Sequence, residues 1–286
     1  MITLALFGST EIPVSLRLAS PVEKTNEKGY NFPMPSSLFS LDGSVVIVTG
    51  ASRGLGHAIA QGFLDHQARL VAVARSSSIR EAFPGAPRDR WLAVQADVTE
   101  PGAVARIRDA ACEGFGRIDV LVNNAGMTRP QDRPYEGEEV WDETLALNLK
   151  APFLLSGAVA ETMKRQGGGS IIHIASINAM MGFPGNPSYQ ASKGGLRQLT
   201  RAMARDWGQC NIRVNSICPG YFRTAMGART YADPVLREER SSRTLLGRWG
   251  EPEELVGACI FLASSAASYV TGSDLMVDGG WTAKGL

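Results

Sequence analysis

Tyr189 and Lys193 stand four residues apart in the run Ser188-Tyr189-Gln190-Ala191-Ser192-Lys193, a spacing that puts both side chains on one face of a helix. A free phenol ionises near 10 and is a poor base at neutral pH. An ammonium held beside it stabilises the phenolate and lowers that value, so the pair can pass a proton to or from an oxygen. Alone, the two residues would equally suit the polar face of an ordinary amphipathic helix. Ser176, just after the apolar run 171–174, shifts the weight, because its hydroxyl can share an oxygen with Tyr189. Paired donors act most strongly where that oxygen develops negative charge. Asn148 is a polar residue in an otherwise apolar helical stretch. Its carboxamide is expected to hold a water near Lys193 and open a proton path to solvent; the alternative is a buried amide that ties helix to sheet.

A second set of residues has the spacing of a nucleotide site. Thr49-Gly50-Ala51-Ser52-Arg53-Gly54-Leu55-Gly56 joins an apolar run to a helical one. Glycines allow a sharp turn and close approach to a pyrophosphate, which then faces a helix N-terminus. The candidates in this turn are Gly50, Ser52, Arg53, Gly54, Leu55 and Gly56. The apolar run 70–74 ends at Arg75-Ser76 with no carboxylate. A ribose 2′-hydroxyl favours an acidic partner at such a position and a 2′-phosphate favours arginine. Arg75, with Arg53 as a second cation, therefore predicts NADP(H) over NAD(H). Asp97 and Val98 follow the third apolar run, and Asn124, Ala125 and Gly126 the fourth. Asp97 is expected to meet the adenine amino group, or else to cap the helix that follows.

The elements needed to hold these residues can be read from the apolar pattern. A β-branched run at 45–48 and short strand-like runs at 70–74, 91–94, 120–122, 170–175, 212–217 and 275–277 alternate with helical stretches, including 57–65, 103–114, 140–164 and 188–207. The 140–164 helix is expected to bend near Pro152. Alternating short strands and helices imply βα units around a mostly parallel sheet. The expectation is one doubly wound, Rossmann-type α/β domain of about seven strands over residues 41–286. Residues 1–39 read as a flexible extension or arm, with no basic segment before their short apolar start and no apolar run long enough to span a bilayer.

The 29 basic and 28 acidic residues of the 286-residue chain leave a formal charge of +1, which offers no bulk attraction to nucleic acid or an anionic membrane. Cys112, Cys210, Cys218 and Cys259 are widely separated, and His57, His66 and His173 have no metal-ligand spacing. Free thiols, a reducing and cytoplasmic location, and no metal are expected.

Together these motifs resemble the classical short-chain dehydrogenase/reductase family over about residues 41–282. The glycine signature falls on Thr49, Gly50, Gly54 and Gly56, and the Asn-Asn-Ala-Gly signature on Asn123 to Gly126. The family's catalytic tetrad falls on Asn148, Ser176, Tyr189 and Lys193. Pro219, Gly220 and Thr224 match its segment beside the nicotinamide. The resemblance implies hydride transfer between a nicotinamide and an alcohol or ketone, with Lys193 also reaching the nicotinamide ribose. It further implies assembly as a homotetramer or homodimer. Gln67, where the family has glycine, and the 1–39 extension depart from the pattern.

The segment 221–249 is expected to wall the nicotinamide with apolar residues, Phe222 and Met226 among them, and several arginines that would suit an anionic substrate. Pro219-Gly220-Tyr221-Phe222, with the later Gly247-Arg248-Trp249-Gly250, resembles the branch containing gluconate 5-dehydrogenase and related sugar-acid, polyol and sorbose reductases. A 3-oxoacyl or broad-range carbonyl reductase is the alternative. A non-catalytic nucleotide-binding scaffold would be expected to have lost Ser176, Tyr189 or Lys193, and all three are present.

Overall fold

The computed structural model describes residues 37–129, 135 and 137–284. Residues 1–36 of the expected extension lie outside the described residues. The backbone carbonyl of Leu38 accepts bonds from the Ala266 N–H and the Ser265 hydroxyl, both at 2.9 Å. Leu41 is buried.

Seven parallel strands form one sheet: β1 (Val45–Thr49), β2 (Arg69–Ala74), β3 (Trp91–Gln95), β4 (Val120–Asn123), β5 (Gly169–Ile174), β6 (Ile212–Pro219) and β7 (Asp274–Val277). Their order is β3-β2-β1-β4-β5-β6-β7. All five residues of β1 are buried, as a parallel strand covered on both faces requires. Its side chains divide between two cores. Val46 and Val48 pack with Ile59 and Phe63, whereas Val45 and Ile47 pack with Ile107, Leu155 and Val159.

The helices that cover the sheet are α1 (Gly54–Asp65), α2 (Ala103–Phe115), α3 (Glu138–Leu145), α4 (Ala151–Gln166) and α5 (Pro187–Trp207), followed by the short α6 (Ala228–Ala232), α7 (Pro234–Ser242) and α8 (Val256–Ala263). None among the described residues is long and apolar enough to cross a membrane. Gln67 has φ 63°, the left-handed conformation that explains why glycine suits this position. Its side-chain oxygen accepts a 2.9 Å bond from Arg90.

Two helices differ from the sequence reading by more than a residue or two. The first helix begins at Gly54, not residue 57, because the last glycines of the turn are already helical. The expected 140–164 helix is divided by a π-helical turn, Ala146–Lys150, before α4 begins. Proline has no N–H and crowds the carbonyl four residues earlier, which for Pro152 is that of Asn148. A π turn absorbs the conflict, and such turns are frequent at functional sites.

The sheet reverses its winding between β1 and β4, the place where open α/β sheets form a ligand crevice. Thr49 fixes the two strand ends there: its hydroxyl accepts the Asn124 and Ala125 N–H groups, each at 3.0 Å. The Asn124 amide donates to the Thr49 carbonyl at 2.8 Å. A Cβ at Gly56 would lie 2.3 Å from both Asn124 Nδ2 and the Gly50 oxygen. Gly56→Ala is therefore expected to cost about 1–3 kcal/mol through overpacking. Urea unfolding of the variant beside the wild type measures the loss.

Candidate active site

At the start of α5, Pro187 stands where a helix needs no N–H donor, and Gln190 holds the preceding loop by accepting the Phe183 N–H at 2.8 Å. The helix then carries Tyr189 and Lys193 to the C-terminal edge of the sheet. Lys193 is 4% exposed, and its Nζ donates to the Ile174 carbonyl at 2.7 Å. It lies 5.7 Å from the centre of the Tyr189 ring. Burial lowers its pKa to about 8. Neighbouring His173 is buried, with a pKa pushed down to about 3 by desolvation and then by the Lys193 charge. It remains neutral and adds no second cation.

The Ser176 hydroxyl accepts the Asn178 N–H at 3.2 Å and donates to the Asn178 side-chain oxygen at the same distance. Burial raises the Tyr189 pKa above its ordinary value, and a hydrogen bond with Ser176 pulls it back. The net direction is upward, so the depression expected from an ammonium together with an oxidised nicotinamide is not carried by the ammonium alone. Lys193 directs its charge at the Ile174 carbonyl.

Asn148 also differs from its expected role. Its carboxamide is committed to protein: Oδ1 accepts the Met127 N–H at 2.9 Å, while Nδ2 donates to the Met127 carbonyl at 2.9 Å and the Ser192 hydroxyl at 3.1 Å. Ser192 in turn donates to the Tyr189 carbonyl at 2.7 Å. The side chain therefore joins the β4 exit to α5, close to the bland alternative. A Cβ at Gly126 would come within 3.2 Å of Asn148 Oδ1 and 3.6 Å of Lys193 Nζ. Glycine leaves that space open.

The nucleotide-side candidates line the neighbouring loops. Arg53, at the N-cap of α1, is exposed, and its side chain caps none of the helix N–H groups. The first turn of α1 carries no acidic residue, so its N–H groups are suited to an anion. Gly50, Ser52 and Gly54 share this turn, and the Thr224 side chain would lie 3.7 Å from a Cβ at Gly54. Pro219 ends β6, and the Gly220 N–H bonds to the Val277 carbonyl at 3.0 Å. Leu55 packs against one core and Val98 belongs to the other. Asp97 accepts the Thr99 N–H and hydroxyl at 3.0 and 2.6 Å, closing a local turn well before α2. It also meets Arg75 at 3.6 Å, where Arg75 is 83% exposed. An exposed pair of this length holds the guanidinium loosely.

Sequence reasoning missed Thr49 and Ser192 as supports: Thr49 meets backbone groups of a distant segment, and Ser192 links the Asn148 carboxamide to the Tyr189 carbonyl. In the 221–249 wall, Phe222 turns into the core against Gly250, while Met226 is exposed. Trp281, beyond that segment, stacks near Tyr221 and Phe183, with ring centres 5.0 and 6.2 Å away. Asp278 holds the intervening turn by accepting the Gly280 and Thr282 N–H groups, both at 2.9 Å.

The family model described as enoyl-(acyl carrier protein) reductase matches residues 50–282. The chain is 41% identical to 2-dehydro-3-deoxy-D-gluconate 5-dehydrogenase of Escherichia coli K12, over 87% of this chain and 99% of that protein. It is also 41% identical to gluconate 5-dehydrogenase of Gluconobacter oxydans 621H, over 86% and 97%. A crystal structure of gluconate 5-dehydrogenase from Burkholderia cenocepacia J2315, in complex with NADP and tartrate, superposes with a TM-score of 0.81. It is 35% identical and covers 86% of this chain and 98% of that one.

The buried ammonium makes stability pH-dependent. Between the folded pKa of about 8 and the ordinary value of 10.5, the unfolded chain binds more protons at residue 193 than the folded one. Stability from this group therefore rises with pH across that window, by up to about 1.4 kcal/mol per pH unit. Denaturation of the wild type and Lys193→Met between pH 7 and 10.5 should show the wild type gaining on the variant. A constant difference would contradict the burial argument.

Proposed function

Because this chain belongs to the short-chain dehydrogenase/reductase family, we propose that it is an NADP(H)-dependent oxidoreductase interconverting a secondary alcohol and a ketone of a sugar acid, sugar or polyol. The observation that carries this reading is the meeting of Ser176, Tyr189 and Lys193 beside the glycine turn at the switch point of the sheet. The named activities of the gluconate dehydrogenase relatives support the substrate class. The NADP in the Burkholderia structure supports the cofactor.

The anion-suited start of α1 fits a pyrophosphate, with Gly50, Ser52, Arg53, Gly54 and Leu55 around it and Gly56 allowing the close turn. Arg75 and Arg53 would hold a 2′-phosphate. Asp97, Val98, Asn124, Ala125 and Gly126 would border the adenosine half, and Pro219, Gly220 and Thr224 the nicotinamide half. When bound, the cofactor supplies or accepts the hydride. In reduction Tyr189 gives its proton to the substrate oxygen while Ser176 donates a second hydrogen bond to it. Its raised pKa keeps the phenol protonated for that step. In oxidation, the Lys193 charge favours the phenolate that must accept the proton. Lys193 would also hold the nicotinamide ribose hydroxyls. Asn148 positions α5 through Ser192, and Pro152 withholds the helical donor its carbonyl would otherwise accept.

The proposal extends to a cytoplasmic location and to a homotetramer or homodimer, the assembly being supported by Phe153 and Leu154 exposed on α4.

Tyr189→Phe is expected to lower kcat about 10²–10⁴-fold while NADPH still binds, as read by turnover and fluorescence titration. Near-normal turnover would remove Tyr189 from the reaction. Arg75→Asp should shift the ratio of NADPH to NADH affinity about 10–100-fold towards NADH, the range of a charge-assisted hydrogen bond. Titration with both cofactors checks this.

A further inference from the structure

Segment 221–249 contains Arg223, Arg229, Arg237, Arg240, Arg243 and Arg248, and their pairing separates them. Arg223 binds Glu251 at 2.6 Å. Arg248 holds both carboxylate oxygens of Glu254, each at 2.7 Å. These two guanidinium groups therefore fasten the wall to the chain before α8. Arg240 and Arg243 instead share one carboxylate, that of Glu239, at 3.1 and 3.3 Å. Two positive charges against one negative leave a positive balance in this triad.

Arg240 is the less exposed of the two, at 23% against 58%. Its Nε is buried and has no hydrogen-bond partner among the described residues. A buried guanidinium donor is normally paired, so an unpaired one points to a missing acceptor. The guanidinium carbon lies 5.5 Å from the centre of the Tyr221 ring. Tyr221 stacks on Trp281, with centres 5.0 Å apart, and Arg243 lies over the Trp281 ring. Trp281 also approaches Phe183, whose backbone is bonded to Gln190 beside Tyr189. The Tyr221 phenol is near enough to Tyr189 to oppose its ionisation. The positive group thus lies over the aromatic side chain whose phenol acts through space on the reacting hydroxyl.

We propose that Arg240, backed by Arg243, receives the carboxylate of an acidic sugar substrate whose reacting carbon lies at Tyr189. This assignment rests on the carbohydrate oxidoreductase reading above and narrows it to sugar acids. A planar guanidinium pairs with a carboxylate through parallel hydrogen bonds, whereas a neutral terminal hydroxyl offers no charge to recognise. Arg240 is then a specificity residue, separate from the proton-transfer groups.

The test compares D-gluconate with its neutral amide, using NADP+ and the wild type, Arg240→Gln and Arg240→Lys. The wild type should prefer the acid. Arg240→Gln should reduce that preference about 10–100-fold, chiefly through a higher KM for gluconate, and Arg240→Lys should restore part of it. An unchanged preference in Arg240→Gln overturns the assignment, as does equal loss on both compounds. If the wild type oxidises neutral sugars or polyols but shows no preference for the acid, this proposal fails and the carbohydrate reading stands. Turnover of no carbohydrate at all removes both.

Discussion

An ammonium taken out of water must recover its lost hydration from the protein, and Lys193 recovers part of it from the Ile174 carbonyl at 2.7 Å. That carbonyl is available because β5 ends there, at the C-terminal edge of the sheet. The surroundings follow from keeping the charge tolerable. Gly126 leaves room beside it, and His173 stays neutral beneath it. Asn148 and Ser192 fix the turn of α5 from which the side chain projects. Tyr189 shares that turn, so the geometry that holds the ammonium also places the phenol. Desolvation sets opposite directions for the two groups: the lysine gives up its proton more easily and the tyrosine less easily. This parts two proton affinities that nearly coincide in water, so the phenol holds its proton more firmly than the ammonium does.

The central strands such as β1 were legible because a parallel strand covered on both faces requires an uninterrupted apolar run, and runs such as Val45-Val46-Ile47-Val48 have few other uses. Tyr189 and Lys193 were legible for a similar reason, since helical spacing alone puts them together. Asn148 was visible as a misplaced polar residue, but the target of its carboxamide was not. Its partner is the backbone of Met127, and backbone groups leave no mark in a pattern of side-chain types. Pro152 announced a bend without revealing that a π turn would take it up. The contact of Arg75 with Asp97 depends on β2 and β3 being neighbours, a fact of strand order.

The chemical and selective halves of the site differ in how they are held. Ser176 follows the end of β5, and Tyr189 and Lys193 stand on α5; both elements contribute to buried packing. By contrast, α6 and α7 bury no residue. Their side of the site depends on rings and guanidinium groups: Tyr231 packs edge-on against Trp249, while Arg223 and Arg237 lie over Tyr231. Backbone bonds from Leu245 and Leu246 to Gly279 join this wall to the turn carrying Trp281. Segments with few buried contacts belong to the low-stability end of a protein. Substitutions in this wall can therefore alter the pocket at little cost to the sheet. The same weakness in packing gives charge a larger part in arranging the wall, and its ion pairs decide which arginines remain available to a substrate.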